Sequence, residues 1–233
     1  MADAGRVVAG TARGIRLLAP GPGTRPLADR VKEAVFGILA PDLVDARFLD
    51  LFAGSGAAGI EALSRGAAAA VFVEHDPGAV RAIGENLRRA GLADRATVAR
   101  MDVPRFLGRL GELPADPFDV VFVDPPYAET GLRDRALARL GAPDVPATPA
   151  ILGQGARVAA THFWRDAPPE TVGLLASERV RRFGETAVTF YRRREACCAS
   201  PSTRARSIRS RTGTSTSCAA RPRSSTAWSS RCS

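Results

Sequence analysis

The segment "DLFAGSGAAG", residues 50–59, narrows what this chain can fold into more than any other. Its glycines Gly54, Gly56 and Gly59 follow the apolar run "RFLDLFA" and open the small-residue stretch "GAAGIEALSRG". Glycines at a strand-to-helix junction permit a tight turn and close approach of the backbone to a ligand. The helix N-terminus adds unpaired N–H groups and a positive dipole end. A nucleotide-like ligand is implied, the alternative being a plain tight turn.

The residues that follow alternate between strand and helix patterns. "AAVFVEH" reads as a strand, and "DPGAVRAIGENLRRAG" as a helix with Asp76 as N-cap and Pro77 in its first turn. "ATVARMD", "VPRFLGRL" and "FDVVFVD" continue the series as strand, short helix and fourth strand. Such alternation predicts a parallel sheet with helices on both faces. Further on, "GLRDRALARLG" is helical, "APDVPATPAILGQG" reads as loop and "ARVAATHF" as a fifth strand. "SERVRRF" and "TAVTFYRRR", joined by "GE", form an antiparallel hairpin. Upstream, residues 6–19 read as two short strands around a glycine turn, and Leu27, Val31, Val35 and Ile38 mark one stripe of a helix. The expected organisation is a basic arm over 1–25, one α/β domain over 26–194 and a tail over 195–233.

Several carboxylates end these strands. Glu74 closes the second strand, 20 positions after Gly54, where it can accept both hydroxyls of an adenosine ribose. Asp102 closes the third, and reads equally as an acceptor for an adenine amine or as a helix cap. NAD and S-adenosylmethionine both satisfy these features. Asp50 and Phe52 favour the latter, since D-x-F-x-G-x-G sets a carboxylate near the ligand, better matched to the methionine ammonium than to a pyrophosphate. The terminal hairpin also suits a seven-stranded methyltransferase sheet. Ser55 is assigned to the cofactor with the rest of the loop.

At the end of the fourth strand stands Asp124-Pro125-Pro126-Tyr127. Strand four neighbours strand one across the switch point of a doubly wound sheet, so these residues should share a crevice with the glycine loop. Asp124 and the Pro125 carbonyl can accept hydrogen bonds from an exocyclic amine, because Pro126 lacks an N–H and keeps the backbone extended. Tyr127 can stack on the base.

Residues 6–194 resemble the bacterial 16S ribosomal RNA guanine-N2 methyltransferases of the RsmD type. The resemblance lies in "RVVAGTARGIRL", "TRPLADRVKEAVF", "FLDLFAGSGAAGIEALSRGA", "VFVEHD", "FDVVFVDPPY" and "FGETAVTFYRR", in that order. It implies a Rossmann-like, class I S-adenosylmethionine-dependent fold with a seven-stranded, mostly parallel sheet, an antiparallel last strand and an N-terminal β-hairpin arm. It further implies that the glycine loop, Glu74 and Asp102 bind S-adenosylmethionine and that Asp124 to Tyr127 hold a guanine. The substrate would be 16S rRNA or the assembling small ribosomal subunit, with Arg6, Arg13, Arg16, Arg25, Arg30 and Lys32 of the arm as phosphate contacts. The same motif would serve an adenine-N6 or cytosine-N4 DNA methyltransferase, and the fold could also persist in a non-catalytic RNA-binding or assembly protein. The chain departs from the family pattern at "APDVPATPAILGQGARVAATHFWRD", where a strand ending in an acid is usual.

Charge and cysteines reinforce the division at residue 195. Of the formal net charge of +9, +6 falls on residues 195–233 and +3 on residues 1–194. All four cysteines (Cys197, Cys198, Cys218, Cys232) lie in the tail, so the body has no thiols for metal or nucleophilic chemistry and no metal is expected. No run approaches the roughly 20 apolar residues of a membrane span, and the N-terminus lacks the apolar centre of a signal peptide; a cytoplasmic monomer is expected. The tail holds 11 Ser, 7 Arg and 5 Thr, too little apolar surface to fold, so disorder is expected. Its composition reads like a GC-rich frame translated out of register, and a frameshift or extended gene model is the expected origin. A chain ending at Arg194 should therefore keep the melting temperature and methyl-transfer rate of the full protein. A drop in either would make the tail structural.

Overall fold

The computed structural model describes residues 3–21, 28–109, 116–126, 129–143 and 150–195. A hairpin of β1 (Asp3–Arg6) and β2 (Arg16–Leu18) leads to α1 (Asp29–Leu39). The alternating part runs β3 (Arg47–Leu51), α2 (Ala57–Ser64), β4 (Ala69–Glu74), α3 (Pro77–Ala90), β5 (Ala96–Arg100), α4 (Val103–Arg109), β6 (Phe118–Val123) and α5 (Thr130–Leu140). It closes with β7 (Leu152–Phe163), β8 (Thr171–Val172), β9 (Leu175–Phe183) and β10 (Thr186–Arg193).

The main sheet has the order β5-β4-β3-β6-β7-β10-β9-β8. The first five strands are parallel, and β10 inserts antiparallel between β7 and β9. This is the Rossmann-like architecture expected, with the two-residue β8 added at one edge to the seven strands anticipated. Strands β3 and β6 are buried on both faces because helices cover both, which is why "FDVVFV" reads as a continuous apolar run. One core, containing Phe36, Phe48, Ile60 and Phe72, lies on the α1 and α2 side; the other, containing Leu49, Val121, Leu137 and Tyr191, lies on the α4 and α5 side.

Local rules set most boundaries. Asp76 caps α3 by accepting the Ala79 N–H at 2.7 Å, Pro77 occupies its first turn, and Gly91 ends it in the left-handed conformation. The strand over Leu152–Gly155 was expected as loop. Its two glycines depress strand propensity, but pairing of Leu152 with Phe118 overrides it, with an irregular register before Val120 and a positive φ at Gly155. Among the described residues no helix lies between β7 and β9, and no helix is long and apolar enough to cross a membrane. The expected tail, from residue 196 onward, and Leu27 lie outside the described residues.

The arm is fastened to the sheet layer by polar bonds. Fully buried Glu61 of α2 accepts the Val8 and Ala9 N–H groups at 2.8 and 3.1 Å and pairs with Arg65 at 2.7 Å. Ser64 accepts the Ala12 N–H and donates to the Ala9 carbonyl. Gly10 makes this approach feasible: a Cβ there would stand 1.8 Å from the Ser64 carbonyl oxygen. Ala4, Val7 and Leu17 of the arm accordingly join the core on the α1 and α2 side, and the described residues form one compact unit. Glu61→Ala leaves two backbone donors and an arginine without their buried acceptor, so it should cost about 3 kcal/mol. Chemical denaturation checks this; a loss indistinguishable from that of an exposed glutamate would mean the arm is held by apolar packing alone.

Candidate active site

The turn between β3 and α2 carries three residues at positive φ: Phe52 at 64°, Gly54 at 54° and Gly56 at 78°. The phenylalanine has no glycine's freedom there, and its strained backbone marks the tightest point of the loop. Gly56 is the N-cap of α2, and its N–H donates to the Ala53 carbonyl at 2.7 Å. Gly59 was expected to serve ligand approach. It instead brings α2 against β4, since a Cβ would lie 2.3 Å from the Phe72 ring. Buried Ser55 gives its carbonyl to Asn86 Nδ2 at 2.9 Å.

Asp50, expected beside a ligand ammonium, lies beneath the loop. It is 2% exposed, and its Oδ2 accepts the Gly59 N–H at 2.9 Å in the first turn of α2. Burial pushes its carboxyl well above the ordinary value; the Gly59 bond opposes that, and the nearby charges of Asp124 and Glu74 add to it. Glu74, at the end of β4, holds the loop from the side. Its Oε2 accepts the Gly54 N–H and its Oε1 accepts those of His75 and Asp76, each at 2.8 Å. Asp102 is exposed and its Oδ1 accepts the Arg105 N–H at 2.8 Å, as a helix cap does.

Asp124 follows β6, which pairs with β3, so it stands at the same carboxyl edge as the glycine loop. Its N–H reaches the Leu51 carbonyl at 3.4 Å, and its Oδ1 accepts a hydrogen bond from the buried Thr161 hydroxyl of β7. Burial raises the Asp124 carboxyl and the Thr161 bond pulls it back. Pro125 is buried and Pro126 exposed, while Tyr127 lies outside the described residues. Asp50 on β3, Glu74 at the end of β4 and Asp124 just after β6 thus concentrate three carboxylates at adjacent strands. The described residues contain no group of three His, Cys, Asp or Glu side chains arranged to hold a metal ion.

A family model described as "Conserved hypothetical protein 95" matches residues 5–192. The chain belongs to this RsmD-type family. The "Putative rRNA methyltransferase YlbH" of Bacillus subtilis is 38% identical over 190 residues, covering 81% of this chain and 99% of that protein. "Ribosomal RNA small subunit methyltransferase D" of Escherichia coli K12 is 45% identical over 123 residues, 52% of this chain and 60% of that protein. Among solved structures, "Putative methyltransferase yhhF" from Escherichia coli superposes with a TM-score of 0.69 at 33% identity, covering 81% of this chain and 97% of that one. A Salinibacter ruber RNA methyltransferase in complex with S-adenosyl-L-homocysteine shares the fold, with a TM-score of 0.52 at 20% identity over 74% of this chain and 95% of that one.

In this RsmD-type chain the basic residues of the arm divide. Arg13, Arg16 and Arg30 are exposed, and exposed Arg6 pairs with Asp29 at 3.2 Å. Arg25 lies outside the described residues. Lys32 was expected to face phosphate and does not: it is fully buried, donates from Nζ to the Arg6 carbonyl and pairs with Asp29 at 3.5 Å. It is an internal strut between α1 and β1. Two further residues emerge only in three dimensions. Asn86 accepts the Leu18 N–H at 2.8 Å and donates to the carbonyls of Leu18 and Ser55, so one side chain joins arm to glycine loop. Its signal was a polar residue on the apolar stripe Ala79, Ala82, Ile83, Leu87. Thr161 is the other, a buried hydroxyl beside Asp124.

Removing the Thr161 hydroxyl removes the contribution that lowers the Asp124 carboxyl, so in Thr161→Val that group should titrate at higher pH than in the native protein. Carbon-detected NMR of the Asp124 carboxyl measures this directly. An unmoved or lowered midpoint would show that Thr161 does not tune Asp124.

Proposed function

We propose that the chain methylates the exocyclic N2 amine of a guanine in 16S ribosomal RNA, with S-adenosylmethionine as cofactor. The carrying observation is Asp124, half-buried and held by Thr161, at the strand edge it shares with the glycine loop. Relatives named as ribosomal RNA small subunit methyltransferases support the substrate class.

The crevice fits the cofactor chemically. A ligand carrying a sulfonium and an ammonium suits an edge where three carboxylates gather at neighbouring strands, two of them, Asp50 and Asp124, pushed up by burial. Gly54 and Gly56 let the backbone approach the ligand, and Glu74 fixes that loop while retaining one acceptor site, on Oε2, for a ribose hydroxyl. When bound, S-adenosylmethionine supplies a methyl group activated by the adjacent positive sulfur.

The rest falls to this chain's own groups. Asp124 accepts one N–H of the target amine and so stabilises positive charge developing on that nitrogen. The Pro125 carbonyl is a second acceptor, because Pro126 has no N–H. Orientation of the amine between these acceptors provides most of the catalysis, with no covalent enzyme intermediate. Exposed Arg6, Arg13, Arg16 and Arg30 contribute sequence-independent phosphate contacts.

The test supplies labelled S-adenosylmethionine with unmethylated small subunits, naked ribosomal RNA or DNA, and identifies the modified nucleoside by mass spectrometry. N2-methylguanosine is expected from the RNA-containing samples and nothing from DNA. Asp124→Ala should lower kcat about a hundredfold or more, the scale for losing a hydrogen-bonding group used in the transition state. N6-methyladenine or N4-methylcytosine from DNA would replace this reading.

A further inference from the structure

We propose that Trp164, Arg165 and Arg182 form a stacking platform for the single-stranded RNA that flanks the target nucleotide. The proposal rests on the reading of the crevice as an RNA methyl-transfer site and adds where the rest of the strand goes.

The platform is built where β7 leaves the sheet. Phe163 pairs with Thr186, and the Trp164 N–H donates to the Glu185 carbonyl at 3.0 Å, which sets the indole beside the turn between β9 and β10. The Arg182 guanidinium lies 3.7 Å from the indole ring centre and that of Arg165 lies 4.6 Å from it. Arg182 Nε also donates to the Gly184 carbonyl at 2.8 Å, so its plane is held by the turn. Among the described residues, Trp164 belongs to neither hydrophobic core, and both arginines are exposed. A half-buried tryptophan in contact with two exposed arginines does little for the fold. It matches the pairing of aromatic face and cation on which single-stranded nucleic acid binds.

Charge and position point the same way. Arg182 lies on the α4 and α5 face of β9, while exposed Arg179 and Arg181, in register with Phe190 and Val188, alternate onto the opposite face. Of the neighbouring acids, Asp166 is engaged with Arg133, and Glu178 with Arg157 and Arg192, while exposed Glu185 sits in the turn itself. Thr161, which bonds Asp124, is three residues before Trp164 on the same chain segment. At a strand rise of about 3.3 Å per residue this is roughly 10 Å, or about three stacked nucleotides at about 3.4 Å each. Alternation sends Thr161 of β7 to the face carrying α1, α2 and the arm, and Arg182 of β9, in register with Ala187 and His162, to the face carrying α4 and α5, where Trp164 lies against it. An RNA strand crossing the carboxyl edge of the sheet meets the arm on one side of the target and this platform on the other. A base continues the stack on the Arg182 plane, and phosphates reach Arg165.

The test uses the full chain carrying Trp228→Phe, which leaves Trp164 as the single indole. Titration with a single-stranded oligouridylate of roughly a dozen nucleotides should quench its fluorescence saturably. Trp164→Ala should weaken oligouridylate binding roughly tenfold, the scale of one lost stacking contact, and the loss of methyl transfer to naked ribosomal RNA should fall on KM rather than kcat. Affinity for S-adenosylmethionine and melting temperature establish that the variant is folded. Should it not fold, Arg182→Gln, altered only on the surface, should still weaken oligouridylate binding and flatten its salt dependence by about one phosphate contact. Unchanged oligouridylate affinity and KM in both variants, with methyl transfer intact, would overturn the platform and leave the proposed function standing. Lost oligouridylate binding in the variants of a protein that methylates no RNA would support the platform while sinking that function. Quenching by polyglutamate with none by oligouridylate would also overturn it, in favour of an acidic protein partner.

Discussion

The structure depends on the burial of α2 on every side. All eight of its residues are buried, so any polar group on it needs a partner inside the protein. At its N-terminus that partner is Asp50, which takes the Gly59 N–H; in its middle Glu61 takes two backbone N–H groups of the arm; at its end Ser64 binds the arm again. The sheet side leaves no room either, since Gly59 rides on the Phe72 ring. Glycine loop, arm and sheet are fixed relative to one another because each closes one side of the same short helix.

That arrangement explains how a crowded set of acids is tolerated. Asp50 could not remain buried beside Glu74 and Asp124 without compensation, and its carboxyl is raised accordingly. Glu74 meets three backbone N–H groups and Asp124 a hydroxyl, so each acid has a specific reason for its place. The result is an edge that favours cations and presents a fixed acceptor at Asp124. Electrostatics and packing here serve one end: donors needed to keep the loop in shape are the same ones that keep the acids from destabilising it.

Where local spacing set the structure, the sequence was legible. The change from period two to period 3.6 gave the alternating strands and helices, and the α3 cap, its first-turn proline and its terminal glycine fell where short-range rules put them. Asp124 and the glycine loop met because strand order follows from right-handed crossovers. What escaped were polar side chains whose partners lie far along the chain: Glu61 with Val8, 53 residues away, Asn86 with Leu18, 68 away, and Thr161 with Asp124, 37 away. Lys32 failed for the same reason. A lysine in a basic segment reads as surface, and only the fold shows the Arg6 carbonyl and Asp29 enclosing it.

Asn86 ties these levels together. Its amide spans β2 of the arm and the Ser55 carbonyl of the glycine loop, so a displacement of either strains the same three hydrogen bonds. Arm and loop have no covalent reason to move together, being separated by α1 and β3, yet a buried amide that loses one partner is costly to leave unpaired. The same arm carries the exposed Arg6, Arg13 and Arg16, and the same loop stands at the strand edge beside Asp124. Any polyanion gripped by the arm is therefore coupled, through one side chain of α3, to the backbone of the glycine loop.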